Sequence, residues 1–248
     1  LCMIIWVASY PKSGNTWVRS FLWAYYFTKD GIFDPKKLKL IEDYPNKTIF
    51  AGNHKIKQGE IYKFWSLSQK KIIKDKKIKF FKTHNALVKV FDRSFTSPEY
   101  TLGFIYIVRD PRNVITSIKN HFDLESYETA FKFISYGKNY IWGSNNDFAK
   151  SQYILSWKIN YISWAKSNKY RKILIKYEDL LKKPFDTFKQ LILFVNALTN
   201  NKANIDEKKM HNSIQTTNFE SMKKIEESGQ FDEKKYSLKN KKFTSFFD

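Results

Sequence analysis

Residues 4–23 read IIWVASYPKSGNTWVRSFLW. An uncharged, mostly apolar run ends at Ser9, a turn follows, and an apolar-rich pattern resumes at Thr16. The first run reads as a buried strand, Met3 to Ser9, and the second as a helix, Thr16 to Thr28. A strand that feeds a helix through a tight turn leaves the first helical N–H groups without partners. The positive end of the helix dipole lies at the same place, so the turn is an anion site. Gly14 lets a phosphate approach the backbone closely. Lys12 adds a point charge, and Ser13 and Thr16 add hydroxyl donors. The same residues also suit an ordinary strand-to-helix turn with a Ser cap. The Walker order of two glycines five apart, then Lys and Ser or Thr, is not met, because Lys12 precedes the only glycine. Magnesium-dependent nucleotide hydrolysis is therefore poorly supported.

Outward from that turn the pattern repeats. Lys77 to Phe81 reads as a short strand ending in Lys82-Thr83-His84. Leu102 to Val108 reads as a buried strand ending in Arg109-Asp110-Pro111, and Arg171 to Tyr177 as a fourth strand. Pro111 suits the first turn of a helix, where its missing N–H is no loss. Apolar spacing predicts helices at Ile61 to Lys74, Tyr127 to Tyr136, Tyr153 to Asn168, Phe185 to Ala197, Glu207 to Ile214 and Asn218 to Glu227. Asp30 to Lys57 reads as loop-rich, and the Lys-rich stretch after Gly229 as a loop. Strand, turn and helix in alternation predict one α/β domain over residues 1–248, a central parallel β-sheet flanked by helices. Ligands of such sheets bind beyond the carboxyl ends of the strands. Those ends carry Lys12 and Ser13, Lys82 and His84, Arg109, and Tyr177.

The 248 residues carry a net charge of +20, with 42% hydrophobic and 18% aromatic residues. That composition supports a large core and excludes global disorder. Between Ala51 and Val90 there are eleven Lys against Glu60 and Asp75. A basic field attracts polyanions such as nucleic acid, acidic glycans or an anionic cofactor; it also describes a lysine-rich solvated surface. No run approaches the roughly 20 apolar residues that span a bilayer, and no secretory signal is present. The single cysteine, Cys2, can form no intrachain disulfide, which fits a reducing, cytoplasmic setting. The sequence starts at Leu1, which leaves an upstream anchor open.

Five blocks carry a family resemblance. YPKSGNTW, residues 10–17, resembles the 5′-phosphosulfate loop of the cytosolic-type sulfotransferases, with Asn15 where that family has a second Thr. YIVRDPRNVITSIKNHF, Tyr106 to Phe122, is similar to the family's 3′-phosphate block, whose Arg and Ser stand eight apart as Arg109 and Ser117 do. FKTH, Phe81 to His84, resembles the segment with the catalytic His. YED, Tyr177 to Asp179, resembles a segment whose Tyr lies near the adenine. TTNFESMK, Thr216 to Lys223, resembles one whose Thr and Phe line the nucleotide.

The resemblance implies a P-loop-like α/β fold and transfer of a sulfuryl group from 3′-phosphoadenosine 5′-phosphosulfate (PAPS) to a hydroxyl or amine, without a metal. The spent donor is 3′-phosphoadenosine 5′-phosphate (PAP). By that implication Lys12, Ser13, Gly14, Asn15, Thr16 and Trp17 hold the 5′ side, Arg109 and Ser117 the 3′-phosphate, and Tyr177, Thr217 and Phe219 the rest of the nucleotide. His84 is the general base, Lys12 stabilises the leaving oxygen, Lys82 assists at the sulfuryl group, and Ser117 restrains Lys12. The chemistry suits these types: in-line transfer depends on positioning and electrostatics, and His accepts protons near neutral pH. His54 and His121 are rival bases. Arg109 could instead pair with Asp110 or Glu178, and Trp17 and Phe219 could be core. One departure stands out. The family closes its nucleotide with a late Arg-Lys-Gly segment, and no Arg follows Arg171. The lid is expected past Asp248; the alternatives are that Lys241 and Lys242 substitute for it or that it is absent.

Other classes stay in view. A nucleotide kinase lacks the Walker order. A nucleic-acid binder would use the basic run Lys70 to Lys79 but shows no nucleic-acid motif. A catalytically dead nucleotide binder would not need both Lys12 and His84. The acceptor, a small molecule or glycan, is expected to meet Asp30 to Lys57 and Gly137 to Lys150, with Tyr136, Tyr140, Trp142 and Phe148 as an aromatic lining or as core.

Overall fold

The structure, a computed structural model, describes residues 3–50, 56–57, 59–143, 148–228, 235–237 and 242–244. Its strands are β1 (Ile4–Ser9), β2 (Glu42–Asp43), β3 (Lys79–Thr83), β4 (Lys89–Val90), β5 (Arg93–Ser94), β6 (Thr101–Val108), β7 (Lys172–Lys176), β8 (Lys235–Ser237) and β9 (Lys242–Thr244). Its α-helices are α1 (Asn15–Phe27), α2 (Lys47–Phe50), α3 (Trp65–Ile72), α4 (Pro111–His121), α5 (Tyr127–Ser135), α6 (Trp157–Ala165), α7 (Tyr177–Lys182), α8 (Pro184–Thr199), α9 (Glu207–Thr217) and α10 (Phe219–Glu227). The chain groups into two compact units. One comprises Leu1–Tyr10, Ile41–Val108 and Ile134–Leu174; the other comprises Pro11–Leu40, Arg109–Phe133 and Ile175–Asp248.

The first unit is built on the sheet. Strand order is β2-β3-β1-β6-β7, and β1 pairs in parallel with both β3 and β6, as β2 does with β3. All six residues of β1 are buried, which is why its sequence is continuously apolar rather than alternating. The two-residue period sends Ile4, Trp6 and Ala8 into one core with Phe81, Phe104 and Tyr106. Trp65 of α3 and Trp164 of α6 close over that face, with Phe104 and Trp164 edge-on at 4.8 Å. Burying each such aromatic contributes on the order of 2–3 kcal/mol. Trp6 Nε1 donates to Thr101 Oγ1 at 2.9 Å, so its polar edge costs nothing in that core.

The second unit is helical. On α8 the buried Phe188, Leu191, Ile192, Val195 and Leu198 fall at helical spacing, and Phe188 stacks on Phe21 of α1 at 3.8 Å. Gly31 sits at φ +82, where a Cβ would lie 2.2 Å from Lys209 O. Only glycine lets the segment after α1 pass that close to α9.

Several boundaries differ from the sequence expectation. The second strand begins at Lys79, not Lys77, because its register starts opposite Ile4 after Lys76 turns left-handed at φ 61. The predicted helix from Tyr153 begins at Trp157 instead: Leu155 is left-handed at φ 56 and Ser156 caps Ile159 N–H at 3.2 Å. The fourth strand ends at Lys176, and Tyr177 opens α7. The stretch read as loop-rich holds β2 and α2. The tail read as loop contains β8 and β9, paired antiparallel. His54 and Lys241 lie outside the described residues.

Candidate functional site

In the second unit the turn between Pro11 and α1 has an unusual backbone. Lys12 adopts φ 62 and Gly14 φ 93. The first is a strained state for a residue with a Cβ, worth about 1 kcal/mol or more. The second is where glycine is at home. A Cβ on Gly14 would stand 2.5 Å from the Tyr177 ring, so the aromatic and the turn require glycine there. Ser13, Asn15, Thr16 and Trp17 are all buried. The Ser13 hydroxyl and the Trp17 indole N–H have no hydrogen-bond partner among the described residues. Buried donors without partners cost about 1–3 kcal/mol each.

Arg109 completes this cradle. Its Nη1 donates to Lys12 O at 3.1 Å, and its guanidinium lies 4.4 Å over the Tyr177 ring. Neither candidate carboxylate takes it. Asp110 caps α4 through Arg112 N–H at 2.9 Å and pairs with the Arg112 side chain; Glu178 accepts the Asp110 N–H at 2.9 Å. Arg109 Nε is buried without a partner. A cation held by one carbonyl and one aromatic face, with donors to spare, suits a phosphate. Burial pushes the Tyr177 phenol up, and the neighbouring Arg109 pulls it back down. Trp17 meets Tyr177 edge-on at 6.0 Å.

The other predicted nucleotide residues fall in this unit with different surroundings. Ser117 is buried in α4. Thr217 ends α9, and its hydroxyl donates to Ser213 O at 2.6 Å. Phe219 opens α10. His121 is the last residue of α4.

His84 belongs to the first unit, one residue past β3. Its Nδ1 lies 2.9 Å from Ser9 O and 3.3 Å from Ser9 Oγ. A carbonyl oxygen only accepts, so Nδ1 carries the proton of the neutral ring and the lone pair sits on Nε2. The backbone is fixed as firmly. His84 N–H donates to Gln152 Oε1 at 2.6 Å, and His84 O accepts from Asn160 Nδ2 at 3.0 Å. Asn160 is fully buried and also accepts from Tyr106 OH at 2.8 Å. Lys82 pairs with Asp43 at 3.3 Å, a neighbour on β2. The sequence reading did not find Ser9, Gln152 or Asn160, and no local motif announces them.

Of the acceptor-side aromatics, Tyr140 packs edge-on against Trp142 at 4.4 Å and Tyr153 at 4.7 Å. Tyr136 and Trp142 are exposed. Among the described residues no group of three His, Cys, Asp or Glu could hold a metal ion, and no helix is long and apolar enough to cross a membrane.

The sequence matches the family model described as the sulfotransferase domain over residues 4–247. The chain belongs to the sulfotransferase-domain family. Its structure is similar to that of mouse sulfotransferase SULT7A1 complexed with PAP (TM-score 0.51, 20% identity, covering 90% of this chain and 66% of that one). It is also similar to retinol dehydratase in complex with androsterone and inactive cofactor PAP (TM-score 0.51, 17% identity, 89% and 65%) and to the same enzyme with retinol and PAP (TM-score 0.50, 17% identity, 92% and 70%). These likenesses establish the α/β sulfotransferase fold. The chain spans just under two thirds of the length of the first two structures. No curated protein sequence matches it.

Proposed function

We propose that this chain is a PAPS-dependent sulfotransferase acting on a hydroxyl or amine of a small-molecule or glycan acceptor in the cytoplasm. The observation that carries the reading is Arg109: a cation without a carboxylate partner among the described residues, bonded to Lys12 O and stacked on Tyr177, beside a turn whose buried Ser13 hydroxyl has no partner among them either. Such a cradle fits an adenine nucleotide with a phosphate at each end, and membership of the family supplies the donor.

In this reading the donor is bound by the turn before α1 and by residues of α1, α4, α7, α9 and α10. Backbone N–H groups of the turn, Ser13 and Thr16 receive the 5′ end, Arg109 and Ser117 the 3′-phosphate, and Tyr177, Trp17, Thr217 and Phe219 the base. His84 is the base in this reading: its Nε2 lone pair accepts the acceptor's proton as the acceptor oxygen bonds to sulfur. The bond from sulfur to the nucleotide oxygen breaks in the same displacement, and Lys12 stabilises the charge left there. Lys82 assists at the sulfuryl oxygens, and its exchange of Asp43 for those oxygens is part of the proposal.

Calorimetric titration with PAP, beside AMP and ATP with magnesium, tests the donor assignment. PAP binding well above AMP, with no gain from magnesium, supports it. Equal weak binding of all three would overturn it.

A further inference from the structure

The hydrogen bonds that place His84 come from a segment that also pairs with the strip carrying Tyr140 and Trp142. Residues 83–87 leave the sheet after β3 and dock on residues 152–163. Asn85 Oδ1 accepts from Tyr153 N–H at 2.9 Å, Ala86 N–H donates to Tyr153 O at 2.8 Å, and Leu87 N–H donates to Ser163 Oγ at 2.9 Å. Gln152 stands at the centre of this join. Its backbone exchanges two 2.9 Å hydrogen bonds with Ile141, the residue flanked by Tyr140 and Trp142. Its side-chain Oε1 takes the His84 N–H at 2.6 Å and the Thr83 hydroxyl at 3.4 Å.

The side-chain assignment is fixed by chemistry. A backbone N–H needs an acceptor, so the carbonyl end of the amide must face it. The amide nitrogen of Gln152 makes no bond among the described residues. A carboxylate would therefore serve the same two donors without losing anything.

We propose that Gln152 is the positioning residue of His84. It ties the base to the strip carrying Tyr140 and Trp142, and so holds the imidazole where Nδ1–H meets Ser9 O and Nε2 keeps its lone pair. The role goes beyond the packing of a loop. A free imidazole prefers the opposite tautomer, with the proton on Nε2, and such a ring is a donor rather than a base at the working nitrogen. Gln152 is thus a residue that sets the protonation pattern of the ring without touching it. The claim deepens the sulfotransferase reading and rests on it for its catalytic meaning.

The test is nitrogen-15 NMR of histidine-labelled full-length protein, with the His84 signals assigned by their loss in His84→Gln. Wild type is expected to show the Nδ1–H tautomer at neutral to alkaline pH. In Gln152→Ala the Nε2–H tautomer should become the major form, while in Gln152→Glu the Nδ1–H form should persist. PAP titration of each variant runs alongside and should be unchanged. A wild-type ring in the Nε2–H form overturns the proposal, and so does a Gln152→Ala ring that keeps Nδ1–H. If Gln152→Ala does not fold, loss of the Nδ1–H form in Gln152→Glu, whose acceptor atoms are retained, overturns it equally. Failure of wild type to bind PAP sinks the donor assignment instead and leaves the tautomer result standing.

Discussion

His84 follows β3 and Arg109 follows β6, the two strands paired with β1, yet they are held by opposite means. His84 is over-determined: ring, N–H and carbonyl all have neutral partners, at 2.9, 2.6 and 3.0 Å. Arg109 is under-determined, with one carbonyl and one aromatic face for five donors and a full charge. The turn beside it repeats this economy, leaving Ser13 Oγ and Trp17 Nε1 without partners among the described residues. Under the proposed assignment, the difference follows from what each group would do. A base needs one orientation and one tautomer, which a closed network of neutral bonds provides. An anion site needs unspent donors, so its stability cost is accepted until the ligand brings the acceptors.

The largest break in this comparison is expected from Arg109→Ala. Losing charge-assisted bonds to a phosphate should weaken PAP binding about 10- to 100-fold, from roughly 1.5–3 kcal/mol. The midpoint of urea unfolding should barely move, since no carboxylate is orphaned. A variant that unfolds readily would instead make Arg109 a structural cation. Gly14→Ala should do the reverse. At φ 93 and 2.5 Å from the Tyr177 ring, the added methyl should cost about 2 kcal/mol of stability. Measured again in a Tyr177→Ala background, the cost should shrink to the backbone share alone.

The proposed anion side is written in contiguous sequence, and the proposed base side is not. Residues 10–17 and 106–117 announce themselves because strand, turn and helix are contiguous, so local chemistry suffices. His84 could be suspected from its own block, but its supports lie 75, 68 and 76 positions away at Ser9, Gln152 and Asn160. No spacing rule links such partners; only the folded chain does. The same reason explains the helix set too early at Tyr153. Its apolar pattern is real, but residues 152–155 spend their backbone on Asn85, Ala86, Asn139 and Ile141, and the helix waits for the Ser156 cap. Lys82 takes its role from the resemblance; the short strand that brings Asp43 beside it lies in a stretch with two prolines and two glycines.

Ser13→Ala sharpens the contrast at a smaller scale. In the closed network around His84, removing a polar group leaves a partner stranded and should destabilise. At Ser13 the hydroxyl is buried with no partner among the described residues, so its removal should leave the melting temperature unchanged or raise it. PAP affinity should nonetheless fall, by up to about tenfold if one hydrogen bond is lost. A stabilised protein that binds PAP as well as wild type would remove Ser13 from the cradle.

The smallest effect concerns the carboxylate next to Arg109. Arg112, through its side-chain and backbone donors, holds the Asp110 carboxyl down to about 2, below the ordinary 3.8. A depressed carboxyl stabilises the fold above the ordinary value, and that contribution is lost as pH falls through about 2. The pair is exposed, with Arg112 at 88%, so salt screens it and the gain is slight. Asp110→Asn keeps an oxygen for the Arg112 N–H cap of α4 and deletes only the ion pair. Its melting temperature should trail wild type a little at neutral pH, and the gap should close on acidification toward pH 2 and in high salt. PAP affinity should stay level, because Asp110 spends its charge on Arg112 and none on Arg109. A marked change in PAP affinity would show that Arg109 is balanced by this carboxylate after all. The two sites would then be held by the same closed kind of network.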